Sequence, residues 1–343
     1  MRNVHLVTGG NGFLGHLIAR RLLARGERVR VLDIWDFPER DEQIEYVNCD
    51  IMNRDGLAAA LRDVSVVHHN VAVVPLAKDR QRFAQINCEG SRIVAEEARR
   101  AGVDAFIHMS SSAVFGKPEC PVTSASPMQP IESYGESKLA SEAAVRETLA
   151  DCGMNLIIIR PRTIIGTGRL GIFQILFDWI SEGRRIYIIG NGSNRFQFVH
   201  ASDLIDFYML ALASERPGSY NVGTDRFATL REDLEELIKH AATGSRVSGL
   251  PAPLTIAACR LLDRLRVCPL APWHYETYHI DFHFEVSELL AMGWKPAYSN
   301  AQMLIESYDW LQKNPGGGDT GHGTSIHRKP VAGGILNILR RLS

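Results

Sequence analysis

Tyr134 and Lys138 stand four residues apart in Ser133-Tyr134-Gly135-Glu136-Ser137-Lys138, so on a helix both project from one face. An ammonium beside a phenol favours the phenolate and makes the tyrosine useful for moving a proton near neutral pH. An amphipathic helix with a half-buried tyrosine and a snorkelling lysine would carry the same pair, so the spacing alone leaves both readings open. Upstream, Ala105 to Ser112 reads as a buried strand ending in three hydroxyls, Ser110, Ser111 and Ser112. At the start of the chain a third pattern appears. The apolar run Val4 to Thr8 breaks into glycines at 9, 12 and 15 and resumes at helical spacing through Leu17, Ile18, Leu22 and Leu23. Strand, tight turn and helix in that order bind a dinucleotide: Gly9 permits the turn, Gly12 lets the backbone approach a pyrophosphate, and Gly15 lets the helix pack on the strand. A second strand, Glu27 to Asp33, ends in an acid at the distance expected of a ribose-binding carboxylate.

The elements that position these groups alternate strand and helix. Ile44 to Ile51 reads as a short strand ending near Asp50, an acid that either meets an adenine amino group or caps a helix from Arg54 to Leu61. Val64 to Ala72 is a buried strand opening into a polar turn at Asn70 and Val71. Its His68-His69 pair lacks acidic or cysteine partners at ligand spacing, so packing and hydrogen bonding are expected and no metal is. A helix is predicted over 83–101, another from Ser133 to about Leu149, and a buried strand from Asn155 to Pro161. Further on come a helix at 173–181, a strand at 185–189, a capping box at Thr229-Leu230-Arg231-Glu232 and a helix over 253–267.

The chain has 343 residues, 45% of them hydrophobic, enough for one large α/β domain with a smaller appendage. Lys and Arg number 38 against 39 Asp and Glu, which leaves no electrostatic case for nucleic acid. The six cysteines form no CxxC pair or disulfide-like framework. With no signal-peptide layout and no apolar stretch of membrane-spanning length, a cytoplasmic protein is expected.

Thr8-Gly9-Gly10-Asn11-Gly12-Phe13-Leu14-Gly15, Ser110-Ser111-Ser112-Ala113-Val114-Phe115-Gly116 and Tyr134-Gly135-Glu136-Ser137-Lys138 together resemble the extended short-chain dehydrogenase/reductases, the NAD-dependent epimerase/dehydratase superfamily. The resemblance implies a Rossmann-type doubly wound parallel sheet with a smaller C-terminal substrate-binding domain, a helix that starts at Asp203 on the chain's return to the sheet, and a closing strand and helix from Phe284. Residues 1–165, with 197–222 returning to them, would form the NAD-binding domain, and 166–196 with 223–312 the substrate domain. It makes Tyr134 the acid/base, Lys138 its electrostatic partner and ribose ligand, and Ser111 the hydroxyl that orients the substrate oxygen. The cofactor site it implies comprises Gly9, Asn11, Gly12, Phe13, Leu14, Gly15, Asp33, Asp50, Ile51, Asn70, Val71, Asn87, Ser110, Tyr134, Lys138 and Pro161. Asp33 repels a 2′-phosphate and no Arg follows at 34 or 35, so NAD is expected over NADP.

Departures from the family pattern narrow the chemistry. Dehydratases carry an Asp-Glu pair after the catalytic hydroxyl, and here those places hold Ser112 and Ala113, so dehydration is disfavoured. Phe196 stands where nucleotide-sugar enzymes usually place a diphosphate-binding Arg, and Thr163 where they often have Asn; Arg195 and Arg162, with Arg160 nearby, are candidates for a shifted clamp. Ser112, Arg162, Thr163 and Arg195 are therefore the expected substrate contacts. The expected function is NAD-dependent epimerisation by transient hydride abstraction at a carbinol of a nucleotide sugar. The alternatives are an NAD-dependent alcohol dehydrogenase of the 3β-hydroxysteroid-dehydrogenase-like branch, suggested by the helix over 253–267 and the aromatics of 273–278, or a non-catalytic NAD-binding regulator. A homodimer is expected through Ile93, Val94, Ala98, Leu139, Ala140 and Ala143. Residues 313–343 read as a flexible linker and a short basic amphipathic tail able to touch a membrane surface weakly.

Overall fold

The computed structural model describes residues 4–314 apart from 38, 76–78, 169, 266 and 269, so the expectations for the basic tail lie outside the described residues. The chain begins β1 (Val4–Thr8), α1 (Phe13–Ala24), β2 (Arg28–Asp33), β3 (Glu45–Asn48), α2 (Arg54–Ala60) and β4 (Val64–His69). Then come α3 (Arg80–Arg82), a π-helical stretch (Phe83–Gly90), α4 (Ser91–Ala101), β5 (Ala105–Met109), a 3-10 turn (Ser112–Phe115), α5 (Ser133–Leu149), β6 (Asn155–Pro161) and β7 (Thr163–Ile165). The remainder is α6 (Phe173–Ser181), β8 (Arg185–Ile189), β9 (Phe198–His200), α7 (Ala201–Ser214), β10 (Gly218–Val222), α8 (Leu230–Ala241), β11 (Arg246–Leu250), α9 (Ala252–Arg264), α10 (Pro272–Thr277), α11 (Ser287–Ala291) and α12 (Asn300–Lys313).

Seven strands form one parallel sheet in the order β10-β6-β5-β4-β1-β2-β3. Every residue of β1 and β5 is buried, as strands covered on both faces require. On one face Val7, Val31, Ile107 and Ile159 pack with Ile18 and Leu22 of α1 and Leu204 and Phe207 of α7. On the other, Leu6, Val67 and Phe106 pack with Leu57 of α2, Val94 and Ala98 of α4 and Val145 of α5. This is the doubly wound Rossmann arrangement. Strand order reverses between β4 and β1, and the crevice outside the carboxyl ends there is where such sheets bind ligands.

The residues beyond the sheet build a further core from Phe177, Phe196, Phe198, Leu234, Phe282 and Leu304, with the pairs β8/β11 and β7/β9 at its edges. Asn300 locks it: its Nδ2 donates to Phe196 O and to Asp233 Oδ2, while its Oδ1 accepts from Phe198 N. Trp273, Tyr275 and Thr277 of α10 are buried, so part of that aromatic segment serves as ordinary core. The capping box at Thr229 and Glu232 is present as expected.

Three expectations need correction. The strand expected to reach Ser112 stops at Met109, because Ser111 leaves the sheet to cap the 3-10 turn, its Oγ accepting from Ala113 N. Phe284 opens no strand; its N–H goes to Gln197 Oε1 and only one bridge, to Val122, forms. Ile93, Val94 and Ala98 are at most 5% exposed against their own sheet, so they are not free to meet a second copy, whereas Ala140 and Ala143 are exposed. Among the described residues no helix is long and apolar enough to cross a membrane.

Candidate active site

The glycine turn after β1 is shaped by close contacts. Gly9 has φ +66°, and a Cβ on it would lie 3.1 Å from Val71 N, at the loop after β4. A Cβ on Gly15 would stand 2.1 Å from Gly9 O, so only glycine lets α1 start this close to β1. Gly10, which the sequence reading passed over, is equally constrained, its would-be Cβ 2.5 Å from the Val31 side chain. Gly12 is the N-cap of α1, and Phe13 and Leu14, the first residues of that helix, are half-buried. Asp33, at the end of β2, accepts from Asn11 N through Oδ2 at 3.1 Å and from Ile34 N through Oδ1 at 2.8 Å. Burial raises its pKa against the pull of these backbone N–H groups. Asn11 Nδ2 in turn donates to Trp35 O.

The other residues expected at a cofactor site have distinct partners, and of them Asn70 and Val71 lie against Gly9. Asn70 follows β4; its N–H donates to Thr8 O, its Nδ2 to His68 O, and its buried Oδ1 has no partner. A glycine cradle that any Cβ would fill, an acid at the end of β2 and this orphaned oxygen suit a dinucleotide. Ile51 is buried against Gly90, where a Cβ would lie 2.5 Å from its Cδ1. Asp50 is exposed and accepts from Met52 N; it does not cap the next helix, because Asn53 does, accepting from Gly56 N. Asn87 is fully buried within the π-helical stretch, where its amide clasps Val73 through both atoms and donates to Ser137 Oγ at 3.0 Å. Pro161 closes β6 opposite Val222.

Tyr134 and Lys138 occupy the first turns of α5. Glu132 caps that helix, accepting from Tyr134 N and Gly135 N at 2.8 and 2.7 Å. Gly135 matters for the site: a Cβ there would stand 2.5 Å from Ala113 O, so its absence lets the 3-10 turn after Ser111 lie directly on the turn that carries Tyr134. The Tyr134 ring is half-buried, edge-on to Phe83 at 5.9 Å. Lys138 is 2% exposed, and its Nζ donates to Met109 O at 2.6 Å, one residue before the serines. Burial brings its ammonium down to about 8, with Glu142 pulling the other way.

Glu142, one turn beyond Lys138, is the functional-looking residue that the sequence reading missed. Its Oε1 accepts from Ser110 Oγ and Arg160 Nε, and its Oε2 from Arg160 Nη2, all buried. The i, i+4 spacing from Lys138 on the same helix is the signal that would have found it. Arg160 is thereby consumed as the partner of a buried carboxylate and is not available as a phosphate clamp. His69, stacked on His108 at 5.5 Å, bridges Thr8 Oγ1 and Ser91 Oγ, while His68 bridges His5 and Tyr208. Burial drops His69 to about 3 and His108 well below the usual range, so both are neutral. Among the described residues no group of three or more His, Cys, Asp or Glu could hold a metal ion.

The expected substrate contacts divide. Arg162 is 1% exposed, wrapped by the rings of Phe196, Phe282 and Phe284 at 4.6, 3.7 and 5.8 Å. Its Nη1 donates to Ser112 Oγ at 3.1 Å and its Nε to Gln197 O, while Nη2 has no partner. Desolvation lowers it to about 9. Arg195 is exposed and lies over the Phe227 ring at 4.7 Å. Thr163 meets the Tyr278 hydroxyl.

An uncharacterized protein of Sinorhizobium fredii, y4nG, is 40% identical over 336 residues, covering 97% of this chain and 85% of its own length. The mouse sterol-4-alpha-carboxylate 3-dehydrogenase, decarboxylating, is 32% identical over 218 residues, covering 60% of this chain and 58% of the mouse protein. In structure, the chain resembles the UDP-glucuronic acid 4-epimerase of Bacillus cereus in complex with UDP-glucuronic acid and NAD, at a TM-score of 0.75 and 22% identity over 90% of this chain and 99% of that one. The family model for NAD dependent epimerases and dehydratases matches residues 5–223, so the chain belongs to the NAD-dependent epimerase/dehydratase family and is an NAD-dependent enzyme of the extended short-chain dehydrogenase/reductase type.

Proposed function

We propose that the chain removes hydride from a secondary carbinol of its substrate with Tyr134 as the acid/base. The observation that carries this reading is the seating of α5: Lys138 tied to Met109 O, and Gly135 letting the turn after Ser111 rest on the turn that holds Tyr134. Ser111 and Tyr134 would hold the substrate oxygen, and Tyr134 would take its proton. The Lys138 ammonium, in a dry environment where charge acts strongly, favours the phenolate. NAD, when bound, accepts the hydride. Gly9 to Gly15 would cradle its pyrophosphate at the N-terminus of α1, and Asp33 would take the ribose hydroxyls after releasing the backbone groups it now holds.

For the substrate we favour a nucleotide sugar whose hydride is returned to the opposite face, a 4-epimerase reaction. Of the three arginines near the missing clamp, only Arg195 is exposed to a diphosphate, so the reading rests on it. A second reading, net oxidation of a large apolar alcohol, is favoured by Phe196: this position is buried among Phe198 and Tyr278 and carries no cation. The sterol dehydrogenase relatives agree with that second reading. Residues 1–165 with 197–222 would hold NAD and the rest the substrate, in a cytoplasmic homodimer that uses the exposed faces of α5.

The test is Tyr134→Phe. It should leave NAD affinity nearly unchanged and cut turnover by about 100- to 10,000-fold, the usual contribution of a positioned acid/base. Near-normal turnover would remove Tyr134 from the mechanism. Incubation with UDP-glucose then separates the substrate readings: epimerisation consumes no NAD, whereas a dehydrogenase accumulates reduced cofactor only with its alcohol.

A further inference from the structure

Helix α9 is thirteen residues long, and none of them is buried. Its main contacts among the described elements are with α10 and β8. On the helix and just after it, Leu254, Leu261, Leu265 and Val267 are 72, 58, 62 and 50% exposed. The remaining exposed large apolar side chains among the described residues, Ile34, Met128, Ile131 and Leu290, belong to three other segments. Half of them therefore fall within fourteen consecutive positions.

Helical geometry turns this into a stripe. At 100° per residue Leu254, Ala257, Ala258, Leu261 and Leu265 fall within an arc of about 100°, the width of an apolar face that normally lies against a core. All five are exposed. Charge is distributed unevenly around the stripe. Arg260 and Arg264, both exposed, border one side. The helix's one acid, Asp263, is half-buried and faces the Tyr275 hydroxyl, away from the stripe. Arg260 donates to Glu276 of α10 through Nε and Nη2 while remaining at the surface.

We infer that α9 is a membrane-surface element that lays its leucine stripe into the headgroup boundary of an anionic bilayer. Three features favour lipid over a protein partner. The stripe is built of leucine and alanine with no tryptophan, tyrosine or phenylalanine, whereas protein interfaces draw their energy from aromatic and arginine anchors seated in pockets. The exposed charge on its border is basic, with Arg264 at the surface and Arg260 exposed even as it pairs with Glu276, which complements anionic headgroups. The helix is too short to span a bilayer but suits lying in its plane. A fixed helix of the folded body also holds the stripe already formed, so docking there requires no ordering of a tail.

The test uses the full-length protein and vesicles of phosphatidylcholine alone or mixed with phosphatidylglycerol, in co-sedimentation at low and high salt. Wild type should bind the mixed vesicles, less strongly as salt rises because the arginine contribution is screened. The variant Leu254→Ser/Leu261→Ser/Leu265→Ser should lose at least tenfold in vesicle affinity with its melting temperature and NAD affinity unchanged. A control, Met128→Ser/Leu290→Ser, should bind as wild type does. No vesicle binding by wild type, or undiminished binding by the triple variant, overturns the proposal. So does a concentration-dependent rise in sedimentation mass that the triple variant abolishes in the absence of lipid, since the stripe would then be a contact between copies of this chain.

Discussion

Lys138 sets chemistry against stability, and the conflict can be measured. Its ammonium is 2% exposed, and burial takes it from an ordinary 10.5 to about 8. At 1.36 kcal/mol per pH unit, holding it charged in the folded state costs about 3 kcal/mol at pH 7. The folded-state value lies below the unfolded one, so the penalty is complete below about 8, shrinks as pH rises, and is gone above 10.5. Lys138→Met removes the penalty but strips Met109 O of its donor, which costs about 1–3 kcal/mol. At pH 7 the variant should therefore match the parent or exceed it by up to about 2 kcal/mol. By pH 10.5 it should be the less stable protein by about 1–3 kcal/mol. The assay is urea unfolding at a series of pH values from 7 to 10.5, both proteins carrying Tyr134→Phe so that no phenol beside the site titrates. His69 and His108, the other titratable groups facing Lys138 from β4 and β5, stay neutral throughout, and Glu142 stays paired with Arg160. A stability difference that does not change with pH would refute the reasoning, because it would mean that Lys138 is not desolvated in solution.

Gly15→Ala should abolish NAD binding and lower the melting temperature, since its Cβ would stand 2.1 Å from Gly9 O and neither backbone can yield; calorimetry with NAD reads both effects. Glu142→Gln should destabilise the fold by about 3–5 kcal/mol in urea unfolding, because it leaves Arg160 charged and unpaired where it is 4% exposed. Asp33→Ala/Ile34→Arg should shift preference from NAD toward NADP, seen as a reversal in the ratio of dissociation constants; an unchanged ratio would mean that the carboxylate stays on the glycine turn when cofactor binds.

Local patterns carried most of the fold and the core of the site. β1, the glycines at 9, 12 and 15, Asp33 at a strand end and Tyr134 with Lys138 on one helix were legible because each depends on neighbours within a few residues: strand alternation, a positive φ, a helical turn. The capping box at Thr229 and the helix over 173–181 were legible for the same reason. What the sequence could not decide was who meets whom across the sheet. Arg160, Arg162 and Arg195 lie within 36 positions and look alike in a sequence. Only packing makes the first the partner of Glu142, encloses the second among three phenylalanine rings and leaves the third in solvent. Likewise Ile93, Val94 and Ala98 and the leucines of α9 are equally apolar. The sheet claims the first three while no described residue covers Leu254, Leu261 and Leu265, because burial is settled by which faces the tertiary structure brings together and not by hydrophobicity alone.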